Sequence, residues 1–99
     1  MITRIVKMVF HPEHTGQFLD LFGKHALNMQ EVAGCLSLQL QQDANDPRIF
    51  FTLSAWQDTK SLEAYRQSEL FRKVWSSVKP LFCERAQAWT THAIYDGKN

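Results

Sequence analysis

A chain of 99 residues, 44% hydrophobic and 21% charged, has enough material for one modest core and too little for two. Its net charge of +1 excludes the clustered basic face of a nucleic-acid binder, and no run of about 18 apolar residues is present to span a membrane. Residues 1–99 are therefore expected to form one domain, without nucleic-acid or membrane partners.

The N-terminal segment Met-Ile-Thr-Arg-Ile-Val-Lys has no long apolar stretch and no small-residue cleavage site, and reads as a strand and not a leader. The two cysteines, Cys35 and Cys83, form no Cys-x-x-Cys pair. They are expected to be reduced thiols in a cytoplasmic protein.

Residues 2–10 are rich in β-branched residues and predict the first strand. His11-Pro12 ends it, Pro12 suits a first helical turn, and Glu13 suits the positive end of a helix dipole. A helix over 13–31 follows, with Phe18, Leu21, Phe22, His25, Met29 and Val32 on one face, and Gly34 stops it. Residues 35–42 alternate, with Leu36, Leu38 and Leu40 on one side and Cys35, Ser37, Gln39 and Gln41 on the other. Asp43-Ala-Asn-Asp-Pro47 is turn chemistry, so a strand over 48–56 completes a hairpin. Asp58 caps a short helix over 59–67, and Ser68 caps another over 69–79. A last strand is predicted over 86–95.

The order is βαββαβ with the second helix divided. It implies a ferredoxin-like α+β fold, a four-stranded antiparallel sheet with its helices on one face. The other face should be polar, yet Ile5 and Val9 point there on strand one, and strand three is apolar on both sides. A second copy of the chain is the simplest cover, in a two-fold homodimer.

No phosphate loop, nucleophile elbow or helical His-x-x-x-His pair is present. His11 and His14 flank Pro12, a weak basis for a metal site. His92 is expected at the surface or a dimer interface. His25, on the apolar stripe, serves either as a core-edge histidine bonded to a carbonyl or as a proton acceptor lining a pocket. The late aromatics Trp56, Tyr65, Phe71 and Trp75 read either as core or as the walls of a site for a small flat molecule, where the divided helix leaves a gap.

The Trp56-x5-Leu62-x2-Tyr65-x2-Ser68-x2-Phe71 pattern, the Ala33-Gly34-Cys35 end of helix one and the element order together resemble the antibiotic biosynthesis monooxygenase family. That resemblance covers nearly the whole chain. It implies a dimeric α+β barrel and a small enzyme that oxidises or rearranges aromatic or quinol-like compounds, several such relatives working without metal or organic cofactor. With no ligand cluster or phosphate loop in the sequence, no metal, flavin or haem is expected. Many members have histidine where this chain has Tyr65. Haem-degrading relatives use an Asn, Trp and His set, and Val6, Tyr65 and Trp75 stand there instead, which argues against haem. The expected site is then His25 and Tyr65 as catalytic residues, with Phe22, Trp56, Phe71 and Trp75 binding substrate. The competing expectation is a homodimer of the same fold that binds a small ligand or serves a structural purpose without catalysis.

Overall fold

A computed structural model describes residues 1–97. Strand β1 (Ile2–Phe10) leads through a 3-10 turn (Pro12–His14) into helix α1 (Thr15–Gln30). Strands β2 (Cys35–Gln42) and β3 (Ile49–Trp56) form a hairpin. Helices α2 (Thr59–Arg66) and α3 (Glu69–Val78) follow, then a 3-10 turn (Lys79–Leu81) and strand β4 (Phe82–Thr91). The sheet is antiparallel throughout, in the order β2-β3-β1-β4, and the fold is ferredoxin-like α+β as its element order implies.

Local chemistry explains most boundaries. The hairpin turn is held by Asp43, whose Oδ2 accepts from the amides of Asn45 and Asp46 at 3.0 and 2.9 Å. Arg48 closes the turn with two side-chain bonds onto Asp46, at 3.1 and 2.8 Å. Asp58 caps α2 by accepting from the Ser61 amide at 2.8 Å, and Ser68 caps α3 by accepting from the Phe71 amide at 3.2 Å. Ser68 Oγ also donates to the Tyr65 carbonyl at 2.6 Å, which locks the corner between the two helices. Gly34 has a φ of +85°, and a β-carbon there would run into the Ser61 side chain. Its carbonyl accepts from the Gln57 amide at 2.8 Å, so one glycine joins the end of α1, the end of β3 and the start of α2.

Two expectations are corrected. The last strand runs from Phe82 to Thr91 and not over 86–95. Phe82 pairs with Phe10 immediately after the Pro80 turn, whereas Thr91 pairs with Thr3 near the start of β1. Beyond Thr91 the neighbouring strand has almost no residues left to pair with. His92, Ile94 and Tyr95 therefore lie outside the sheet, exposed. In β2 the alternation breaks: Cys35 pairs with Trp56 and Ser37 with Ala55, so Leu36 is an extra residue in a bulge. Leu38 and Leu40 keep the helix-facing side, Cys35 joins them, and Leu36 is left 56% exposed. Period two fails across one inserted residue.

The core lies at the Phe10 end of the sheet. Met8, Phe10, Phe18, Phe50, Val78 and Leu81 form a buried cluster. Phe10 stacks on Phe18 at 4.3 Å between ring centroids, and Phe18 tilts against Phe50 at 5.2 Å. The opposite sheet face, free of helices, carries Ile5, Phe51 and Leu53, with Trp89 46% exposed among them. No helix of the described residues is long and apolar enough to cross a membrane.

Candidate functional site

Along β1 the helix-facing residues pass from Phe10 and Met8, which are buried, to Val6 and then Arg4. The sandwich of helices and sheet is filled at the first end and hollow toward the second. The hollow is an apolar cleft of about 370 Å³. Its floor is the sheet: Arg4, Val6 and Met8 from β1, Thr52, Ser54 and Trp56 from β3, Cys35 and Leu38 from β2, and Ala86 and Ala88 from β4. Its roof is Phe18, Phe22 and Met29 of α1, Leu62, Tyr65 and Arg66 of α2, and Phe71, Val74, Trp75 and Val78 of α3.

One wall is a continuous run of aromatic rings. Trp56 stacks on Tyr65 at 5.2 Å, and Tyr65 meets Phe71 edge-on at 5.3 Å. Phe71 stacks on Trp75 at 5.9 Å and 10° between ring planes, and Trp75 meets Phe82 edge-on at 5.6 Å. The division between α2 and α3 makes this run possible. Tyr65 hangs from the last turn of α2 and Phe71 from the first turn of α3, and the Ser68 corner brings them face to edge. Trp56 is buried at the strand end, and its indole N–H donates to Ser54 Oγ at 2.9 Å.

Burial pushes the Tyr65 hydroxyl up to about 12, and the nearby Cys35 thiol adds to the effect. The phenol therefore stays protonated at neutral pH. It makes no hydrogen bond to any described residue and sits on the cleft wall, a donor without a protein acceptor. Burial also raises the Cys35 thiol, offset in part by a backbone hydrogen bond with Ser37. Arg4 is held below the usual arginine range, first by burial and then by the like charge of Arg66, while Glu63 acts in the opposite direction.

The expected residues divide in two. Phe22, Trp56, Tyr65, Phe71 and Trp75 all line the cleft. His25 is half-buried on α1 but is not on its walls. At about 100° per residue, Phe18, Met29 and Phe22 fall within a narrow arc. His25 lies to one side of that arc, with Leu21. Trp56 and Tyr65 share this cleft, and His25 is not among the residues that line it. His11 and His14 meet edge-on at 5.7 Å, with the His14 Nδ1 buried and unpartnered. Among the described residues no group of three or more histidine, cysteine or acidic side chains is arranged to hold a metal.

Sequence reasoning missed Arg4, Cys35 and Arg66. Arg4 has the parity of Val6, Met8 and Phe10, and that period alone marks a charged residue facing the helices. Arg66 is four residues from Leu62, on the same side of α2. Cys35 was hidden by the bulge.

No functionally curated protein matches the sequence. Solved structures do match the fold. A protein of Nitrosomonas europaea that carries the name putative antibiotic biosynthesis monooxygenase superposes with a TM-score of 0.88 at 18% identity, over 96% of this chain and 100% of its own. A conserved protein of Methanosarcina mazei gives 0.85 at 21% identity, over 91% and 90%. A protein of Mycobacterium tuberculosis gives 0.88 at 14% identity, over 98% of each chain. Identities this low establish the fold and nothing finer. The family model for antibiotic biosynthesis monooxygenase matches residues 1–75, which span β1 through most of α3 and so nearly all of the cleft. By that match and by its fold, the chain belongs to the antibiotic biosynthesis monooxygenase family.

Proposed function

We propose that the chain is a monooxygenase acting on a small aromatic or quinol-like compound, with no resident metal or organic cofactor. The observation that supports this reading is the cleft wall of four aromatic rings, from Trp56 to Trp75, with an unpartnered phenol among them. A flat ring fits such a slot, and an electron-rich hydroquinone anion reacts with oxygen without a protein-bound metal. The protein's task is then to hold the ring away from water and to donate a hydrogen bond to the oxyanion that forms. Phe22, Trp56, Phe71 and Trp75 hold the ring in this proposal, and the Tyr65 hydroxyl donates. His25 has no part, because it lies off the cleft walls.

The proposal includes a homodimer. Ile5, Phe51, Leu53 and Trp89 leave an apolar helix-free face that a second copy would cover, and an obligate interface of this kind buries about 1,000 Å² or more per partner. Light scattering should return twice the 11.5 kDa chain mass at micromolar concentration.

A non-catalytic ligand-binding protein of the same fold is the second reading. One observation favours it: no histidine or carboxylate is among the residues lining the cleft. Oxygen uptake against a panel of hydroquinones separates the two. Turnover that falls in Tyr65→Phe and persists in His25→Ala supports the enzyme as described. Absence of turnover, with hydroquinones still binding in the cleft, supports the second reading.

A further inference from the structure

The cleft has cations where a base was expected. Arg4 sits on the central strand, in register with Ser54 on one side and Thr90 on the other. Its Nη1 donates to Thr90 Oγ1 at 2.9 Å, and among the described residues it has no carboxylate partner. One bond uses one of the five donors of a guanidinium. Arg66, from the last turn of α2, also lines the cleft, and its Nη1 donates to Glu63 Oε1 at 2.9 Å. Two positive charges therefore line the polar part of an otherwise apolar cavity, with the Glu63 carboxylate outside it on Arg66.

We propose that the cleft selects an aromatic anion, a flat ring system bearing a carboxylate or an ionised phenol oxygen, with the negative group held between Arg4 and Arg66. The proposal rests on the aromatic-ligand reading above and deepens it. A like-charged pair is unfavourable without an anion between its members: the Arg4 guanidinium is depressed first by burial and then by the charge of Arg66. An anion between the two removes that repulsion and gains charge-assisted hydrogen bonds. Planar guanidinium groups suit a carboxylate better than a compact ammonium does. The same field favours ionisation of a bound phenol, so a substrate that needs deprotonation is assisted without a base on the cleft wall.

The test uses an isosteric pair, 2-naphthoate and 2-naphthamide, titrated into the full-length protein by calorimetry. The naphthoate should bind about 10- to 100-fold more tightly, the worth of hydrogen bonds to a charged group. Arg4→Gln and Arg66→Gln should each reduce that preference, weakening naphthoate more than naphthamide. Glu63→Gln, which removes the partly neutralising carboxylate, should tighten naphthoate about two- to fivefold and not naphthamide. The comparison within the wild type stands even if Arg4→Gln fails to fold. Equal binding of the two ligands overturns the anion site and leaves the aromatic cleft standing. Binding of neither overturns both. A naphthoate preference that survives both arginine substitutions overturns the assignment to Arg4 and Arg66.

Discussion

Tyr65 separates packing from chemistry in a single residue, because its ring and its hydroxyl have different partners. The ring stacks on Trp56 at 5.2 Å and meets Phe71 edge-on at 5.3 Å. Truncation of a fully buried aromatic to alanine costs about 3–5 kcal/mol. Tyr65 is half-buried but makes two aromatic contacts, each worth roughly 0.5–1.5 kcal/mol beyond area. Tyr65→Ala should therefore cost about 3 kcal/mol, a fall in Tm of roughly 12–24 °C for a domain of this size. The hydroxyl contributes nothing comparable, since no described residue bonds to it. Tyr65→Phe keeps both ring contacts and should leave Tm within about 3 °C of the wild type, a shift worth less than 1 kcal/mol. If the phenol donates to the substrate oxyanion, the same substitution should lower kcat about 10²-fold, near the low end for loss of one oxyanion donor. Thermal unfolding by circular dichroism and oxygen uptake with the best hydroquinone of the panel read the two quantities on the same samples. The reasoning is refuted if Tyr65→Phe unfolds many degrees early with turnover intact, because the hydroxyl would then be a structural bond and not a donor to ligand.

Three further outcomes follow from the same geometry. Gly34→Ala should destabilise by about 2 kcal/mol or more, since the left-handed backbone alone costs roughly 1–2 kcal/mol and the new methyl meets Ser61; pairing it with Ser61→Gly in a double-mutant cycle should recover the steric part and leave the backbone part. Spectrophotometric titration of Tyr95→Phe, in which Tyr65 is the remaining tyrosine, should show ionisation near pH 12, and a midpoint at the ordinary value near 10 would show that the ring is not desolvated. The folded state binds this proton more tightly than the unfolded chain, so the contribution of Tyr65 to stability is complete below about pH 10 and declines as pH rises toward 12. For Asp58 the sign is opposite: the Ser61 amide holds its carboxyl below the usual range, so its contribution is present above about pH 4 and is lost as pH falls through the lower folded value. The difference in urea midpoint between wild type and Asp58→Ala should accordingly shrink in acid, and a difference that persists at pH 2 would count against the cap as its source.

Much of this protein is legible from local chemistry. Asp43, Asp58 and Ser68 mark turns and helix ends by hydrogen-bonding habits that operate within a few residues, and each acts where it was expected to. The helix face of Phe18, Phe22 and Met29, and the approach of Trp56, Tyr65 and Phe71, follow from periods of 3.6 and 2 together with the Ser68 break. Other features depend on partners distant in the chain. The end of β4 is set by where β1 begins, which residues 86–95 do not encode. The β2 bulge, which turns Cys35 into the cleft, is a matter of register against β3. His25 is separated from the cleft by a small rotation of α1 about its own axis, within the width of the apolar stripe and so invisible to periodicity. Arg4 and Arg66 are 62 positions apart in the chain, and only the packing of α2 over the sheet brings their charges to one cavity. Local pattern decides which side chains face inward; the tertiary arrangement alone decides which of those meet, and whether the space between them is filled.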